Sequence, residues 1–265
     1  MLPELIRMSC TALGAYSSAT KTGDLIQLRA LDFGGGPFAN NTVLTVHRSG
    51  DVNAYVTVGF PSFVGVITGV SEKGVGVSEK VWMTYDTPSI QPGSYDGIPD
   101  VLALRDVLAK TGGKEEAEGY LEDLNRTWSI WIGIGDYDTQ RFDLVGYKQD
   151  SVTVYDDETI GKETGQEYIE DVCYVDKHPQ PSHANDLPEI IKSKHGEIDF
   201  EAVQDIVLGH DTGDLHWAAY DFGKKEMVLA IGRTNEEGEY GVDGEWNACR
   251  RPAIKFKLDD LWNGV

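Results

Sequence analysis

The order of periodicities along this chain predicts an α+β fold, in which antiparallel sheets built from hairpins are covered by helices. Three observations lead there. Alternating strands come in pairs joined by short turns, helical periodicity clusters in the middle with one late segment, and the strict strand–helix alternation of a parallel α/β fold is absent. The 265 residues suffice for one large domain with its own core, read here as 1–265.

Each element follows from its residues. "DLIQLRALDF" alternates and reads as a strand. "TVLTVHR" and "NAYVTVGF" flank a Gly-containing turn and form a hairpin, and "SFVGVITGV" with "VGVSEKVWM" forms a second. The period then changes. "DVLALRDVLAK" places Val101, Leu104, Val107 and Leu108 on one helical face, and Pro99 with Asp100 suits a helix start. Gly112 and Gly113 break the pattern, and an acidic helix resumes in "KEEAEGYLEDL". Strands return in "WSIWIGIGD", "RFDLVGYK" and "SVTVYDD". A late helix, "DFEAVQDIVLG", precedes a closing hairpin of "LHWAAYDF" and "EMVLAIGR", and the least regular stretch is 156–198. Neither repeats nor low-complexity segments interrupt this order.

Charge narrows the partners. A net −21, from 44 acidic and 23 basic side chains, repels phosphate backbones and anionic lipid surfaces, so nucleic acid is not an expected partner. The same field favours a neutral acyl amide over a coenzyme A thioester. No apolar run approaches the roughly 20 residues of a membrane helix, and "MLPELIRM" lacks the apolar core of a secretory signal. A lysosomal or secreted location would therefore require a leader outside this sequence; a cytoplasmic one would not. The triplets beginning at Asn40 and Asn125 are glycosylation acceptors in an exported eukaryotic chain.

Three cysteines, Cys10, Cys173 and Cys249, make neither a disulfide framework nor a zinc pattern; at most Cys173 pairs with Cys249 and leaves Cys10 free. The run "HDTGDLH" gathers His210, Asp211, Asp214 and His216, but its spacing matches no zinc or calcium signature. His216 reads more simply as a polar-face residue alternating with Trp217 in a strand. No metal and no cofactor are expected.

Cys10 raises the question of chemistry. A cysteine acts as a nucleophile only as thiolate, so it needs a base or a cation beside it. Six histidines are present, none in a recognised cysteine-protease signature. A second route exists. If the bond before Cys10 were cut, its own α-amine, with an ordinary pKa of roughly 7.7–8, could serve as the base. That route explains a cysteine so near the front behind a short disposable segment, 1–9, with 10–265 as the mature part.

The opening "CTALGAY", followed by "GDLIQLRALDFG", resembles that of the acid ceramidase-like N-terminal nucleophile hydrolases. It is similar also to their relatives, the choloylglycine hydrolases, penicillin V acylases and the penicillin-forming acyltransferase. "GVITGVSEKGVGVSEK" resembles the family's second hairpin, which ends in a Glu and a basic residue. "ALRDVLAKTGGKEEA" resembles its Leu-Arg-x-x-Leu helix, and "GDLHWAAYDFGKKEMVLAIG" its closing hairpin.

The resemblance implies a four-layer αββα sandwich and hydrolysis of a linear amide, an N-acyl amine or ceramide-like lipid, through a thioester. Cys10 matches the nucleophile. Arg29 matches the arginine that holds a thiolate and orients substrate. Asp32 matches the acceptor for the freed α-amine, and Glu79 the glutamate that prepares self-cleavage. The family's oxyanion-donating asparagine has no direct counterpart. Asp176 stands nearest in pattern, yet an ionised carboxylate only accepts hydrogen bonds; Asn185 is the alternative donor. Phe60, Phe63, Trp82 and Tyr85 lie in or beside the motif hairpins, where they would line an acyl pocket or simply fill core. Acyl transfer to an amine, and an inactive binding protein on the same fold, use the same residues and stay open.

Overall fold

The computed structural model describes residues 9–33, 38–82, 96–127, 129–240 and 244–264. The hairpins assemble into two sheets. One contains β1 (Ser9–Ala15), β2 (Ile26–Asp32), β10 (Val172–Val175), β11 (His216–Asp221), β12 (Glu226–Ile231) and β13 (Ile254–Lys257), in the order β10-β1-β2-β11-β12-β13. The other runs in sequence order: β3 (Val43–Ser49), β4 (Val52–Gly59), β5 (Thr68–Ser71), β6 (Val75–Val81), β7 (Ile130–Asp136), β8 (Arg141–Tyr147) and β9 (Val152–Tyr155). Every ladder within the two sheets is antiparallel, as hairpin connections require.

Helices lie on the outer faces. α1 (Asp100–Lys110) and α2 (Lys114–Asp123) bury Leu104, Val107, Leu108 and Leu121 against Val75, Val77, Ile132 and Ile134 of the seven-stranded sheet. α4 (Asp186–Lys194) and α5 (Phe200–Gly209) bury Leu187, Ile191, Val203 and Ile206 against Leu13, Leu28 and Trp217 of the other. The start of α5 is capped: the Asp199 carboxylate accepts from the backbone N–H groups of Glu201 and Ala202. Two short helices, α3 (Ile160–Thr164) and α6 (Leu258–Asn263), also lie among the described residues. Between the sheets lies a third core, with Ala12, Val56, Trp131, Phe142, Cys173 and Tyr220. This is the four-layer αββα arrangement.

Phe142 shows how closely the sheets meet. Its ring lies 2.0 Å from where a Cβ on Gly14 would stand and 2.4 Å from one on Gly133, so both strands need glycine there.

Several local expectations change. "SFVGVITGV" forms a strand only over Thr68–Ser71, because its front half turns through Ser62 at positive φ. The irregular 156–198 stretch holds α3 and β10, each too short for a clear period, and the nine-residue α4. Cys173 and Cys249 do not pair: both are free thiols, one buried between the sheets and one under the outer helices. His216 is no exposed polar-face residue but is fully buried. Tyr85 lies outside the described residues.

Candidate active site

Register places the nucleophile candidate. β1 and β2 align Cys10 with Leu31 and Ser9 with Asp32, while Ala12 faces Arg29. Arg29 is fully buried, with β1 on one side and β11 on the other. Glu79 approaches from β6 of the opposite sheet.

Arg29 is the hub. Its Nε donates to the Glu79 carbonyl at 3.1 Å and its Nη2 to Glu79 Oε2, also at 3.1 Å. The same Nη2 donates to Cys10 Sγ at 3.2 Å, and Nη1 donates to His216 Nε2 at 3.1 Å. Because Nε2 accepts from Arg29, and lies 3.3 Å from the Thr68 hydroxyl, the imidazole proton belongs on Nδ1. Burial, with the arginine charge second, holds His216 neutral well below its ordinary pKa. His216 thus supports the arginine rather than serving the thiol as base.

The buried Arg29–Glu79 pair is costly unless its geometry and remaining hydrogen bonds are good. Arg29 meets that condition. Glu79 does so incompletely: its Oε1 is buried without a hydrogen-bond partner, and burial raises its pKa against the pull of Arg29. For Cys10 the balance is unambiguous. Burial pushes the thiol up to about 12, Arg29 pulls it down, and Glu79 and Asp32 add to the rise. With residue 9 still attached, Cys10 is a protonated thiol at neutral pH.

Asp32 sits one ladder position from Cys10 and is held by the loop after α5. Its Oδ1 accepts from the backbone N–H of Gly213 at 2.6 Å and of Asp214 at 3.1 Å; its Oδ2 accepts from the Thr212 hydroxyl at 2.5 Å. Thr212 Oγ1 also lies 2.9 Å from Thr11 Oγ1. Since the single Thr212 proton goes to Asp32, Thr11 donates to Thr212. Burial raises the Asp32 pKa against these donors, and Asp214 beside it is raised to about 6 by burial and by the charge of Asp32.

Asp176 follows β10 directly, past the Ala12–Val175 pairing of β1 with β10, and is fully buried. It accepts from His178 N at 3.1 Å, from Ser182 Oγ at 2.6 Å and more weakly from Gln180 Nε2, with His178 Nδ1 at 3.1 Å. Asn185, the alternative oxyanion donor, is exposed just before α4 and is not brought to Cys10.

Two further residues escaped sequence reasoning. His216 shares its rung with Leu31, next to Arg29, a placement knowable only once β11 is known to pair with β2. Lys80 is fully buried, and its Nζ donates to the Val81 carbonyl at 2.8 Å and to Gln180 Oε1 at 3.0 Å. Burial lowers it to about 8, with Cys10 and Asp176 pulling the other way. The basic residue after Glu79 in the hairpin motif was its one signal.

Around Cys10 the wall is apolar: Leu31, Ile67, Val81 and Leu215, with Phe33, Phe38, Phe60 and Phe63 packed against them. Trp82 is elsewhere, stacked on Trp131 with centroids 4.0 Å apart.

This architecture is the N-terminal nucleophile hydrolase fold of the solved structures it resembles. The chain superposes on an N-acylethanolamine-hydrolyzing acid amidase ortholog from Caenorhabditis elegans with a TM-score of 0.63 and 13% identity, over 93% of this chain and 100% of that one. A mutant conjugated bile acid hydrolase from Clostridium perfringens gives 0.60 at 14% identity, over 96% and 94%. Penicillin V acylase from Agrobacterium tumefaciens gives 0.58 at 12%, over 84% and 83%. At such identities the likeness establishes the fold. In sequence the chain is 32% identical to Protein dcd1A of Dictyostelium discoideum over 99% of its own length, and 33% identical to Protein dcd1B over 89%. It spans 62% and 48% of those two relatives. No family model matches the chain. Among the described residues, no helix is long and apolar enough to cross a membrane.

Proposed function

We propose that this chain is a cysteine amidohydrolase that cuts itself before Cys10 and then hydrolyses a linear amide through a thioester on Sγ. The observation that carries this reading is the buried Arg29 guanidinium, gripped at two points by Glu79 and donating to Cys10 Sγ at 3.2 Å. A plain core cysteine needs no such neighbour.

In maturation, Cys10 Sγ adds to the Ser9 carbonyl carbon and its proton passes to the departing nitrogen. The Ser9–Cys10 C–N bond breaks, and water hydrolyses the resulting thioester to a Ser9 carboxylate and a free Cys10 thiol. In turnover the new α-amine takes the thiol proton, and the thiolate adds to the substrate carbonyl. The leaving amine recovers that proton, and water hydrolyses the acyl-enzyme. Arg29 would hold the thiolate, and Asp32, next to Cys10 in the ladder, would accept from the freed amine. Glu79 would keep the arginine aimed. Asp176 accepts every conventional hydrogen bond it makes to backbone, hydroxyl and amide, which suits positioning its segment better than donating to an oxyanion.

The aromatic wall around Cys10 fits an apolar acyl chain, and the net charge of −21 fits a neutral amide. An N-acyl amine or ceramide-like lipid has both features. The test is intact mass and turnover together. Active protein is expected to begin at Cys10, and Cys10→Ala to remain full length without activity. Full activity from a chain that keeps Ser9 would sink the free-amine mechanism. Faster reaction of a coenzyme A thioester than of the matching fatty acyl amide would make acyl transfer the better assignment.

A further inference from the structure

A second polar cluster lies beside the start of β1, outside the Arg29 network. Asp176, His178 and His210 each offer one ligand atom, and the three atoms lie within 4.8 Å of one another. They come from two places in the fold: the loop after β10 supplies Asp176 and His178, and the end of α5 supplies His210.

His210 singles this cluster out. The side chain is fully buried, and its Nδ1 lies 2.5 Å from the Asp186 carboxylate at the start of α4. That contact places the proton on Nδ1 and leaves Nε2 as a bare acceptor. Nε2 is buried and, among the described residues, has no hydrogen-bond partner. Leaving such an atom unsatisfied forfeits its hydrogen bond to water, so the arrangement is costly unless something fills it. The pattern, a carboxylate behind one ring nitrogen and the other free, is how metal-binding histidines are held. We propose that Asp176, His178 and His210 bind a divalent cation of the zinc class, with Asp186 as the carboxylate that orients His210.

The donor set selects the ion. Two imidazoles and one carboxylate suit Zn²⁺ and its neighbours, whereas Mg²⁺ and Ca²⁺ prefer all-oxygen sites. Zinc–ligand bonds of about 2.0–2.2 Å put donor atoms roughly 3.3–3.6 Å apart in a tetrahedron, so the three atoms, now within 4.8 Å of one another, would draw together around the ion. Asp176 Oδ2 and His178 Nδ1 already stand 3.1 Å apart. His178, with 40% of its side chain exposed, has room to adjust and opens a path from solvent. Ser182 Oγ, donating to Asp176 Oδ2 at 2.6 Å, holds that carboxylate in place. Three protein ligands leave a fourth position open.

The placement has a consequence for β1. Lys177, between two of the ligands, accepts a hydrogen bond from the Ser9 hydroxyl through its carbonyl. An ion here would clamp the segment that anchors Ser9 to the end of α5.

The test is zinc titration of the full chain by calorimetry, with about 0.15 M salt and excess Mg²⁺ present to screen diffuse binding to the acidic surface. One equivalent of Zn²⁺ is expected, with micromolar or tighter affinity. Asp186→Asn should weaken it about 10–100-fold. His178→Gln and His210→Gln should abolish the stoichiometric phase, and Cys10→Ala should keep it. Circular dichroism checks that each variant is folded; His178→Gln, at a half-exposed position, keeps the test sound if His210→Gln does not fold. Absence of a one-equivalent phase in the wild type, wild-type affinity in folded His178→Gln, or loss of binding in Cys10→Ala would each overturn the proposal.

Discussion

Arg29 and Asp176 are both fully buried, yet their surroundings differ in which groups they satisfy. All three nitrogens of Arg29 donate, to Glu79, His216 and Cys10, so the cation is used up within the protein. Asp176 is likewise surrounded by donors, but beyond it His210 keeps a buried nitrogen open. The first cluster satisfies its cation in full, leaves Glu79 Oε1 and His216 Nδ1 without partners among the described residues, and surrounds a thiol that burial keeps protonated; its missing part, a base, is one the chain itself could release. Among the described residues, no side chain supplies what His210 Nε2 lacks in the second. A buried charge in this protein is therefore best judged by what its neighbours leave unsatisfied.

The largest break in that comparison is Arg29→Met. It strands Glu79 as an uncompensated buried carboxylate and should cost about 3–5 kcal/mol of stability in urea unfolding, with loss of all turnover. Adding Glu79→Gln to the same chain should restore part of the stability but no activity. A loss below about 1 kcal/mol would mean that the pair behaves like an exposed one. Next in size is Asp32→Asn, expected to fold yet lose about 10²–10⁴-fold in kcat. Near-normal kcat would reduce Asp32 to an anchor for the 212–214 loop.

Lys80→Met probes a smaller effect through pH. Lys80 falls from its ordinary 10.5 to about 8 in the folded chain. Below about 8 both states carry the proton; between about 8 and 10.5 the unfolded chain binds it and the folded chain does not. Stability contributed through this group therefore rises with pH across that window. Denaturant midpoints from pH 7.5 to 10.5 should show wild type gaining on Lys80→Met, and parallel curves would refute the lowered pKa. The smallest expected change is Thr11→Val, which removes a neutral hydrogen bond to Thr212 worth about 0.5–1.5 kcal/mol and should alter kcat only a few-fold. If it matched Asp32→Asn, the hydroxyl chain rather than the carboxylate would carry the effect.

The hairpins and the two long helices were legible because period 2 and period 3.6 speak for themselves over seven to eleven residues, as in β2, β6 and α1. Cys10, Arg29, Asp32 and Glu79 were legible as a motif, and Cys10, Arg29 and Glu79 do meet. His216 was not. Its place depends on β11 inserting beside β2, a pairing across nearly the whole chain that no local pattern encodes. β10 and β13 have four residues each, too few to show alternation. "HDTGDLH" drew attention to His210 for its close neighbours in sequence, but its neighbours in space are Asp186 and His178. Asp211, Asp214 and His216 have other attachments: Arg250, the Phe33 N–H and Arg29.

Phe142, wedged where side chains on Gly14 and Gly133 would stand, makes β1 a lever. Four residues of strand, about 13 Å at roughly 3.3 Å per residue, separate Gly14 from Cys10. β1 is paired on both sides from Ala12 to Ala15 and with β2 along its whole length, so a displacement forced at Gly14 is passed toward Cys10. An added methyl at position 14 would have to move β1 or the ring, and the hydrogen bond from Arg29 to Sγ has only tenths of an ångström to spare. Spacing between the sheets at Phe142 thereby sets the aim of a sulfur it never touches, and random mutagenesis scored on activity alone would mark Gly14 as though it belonged to the chemistry.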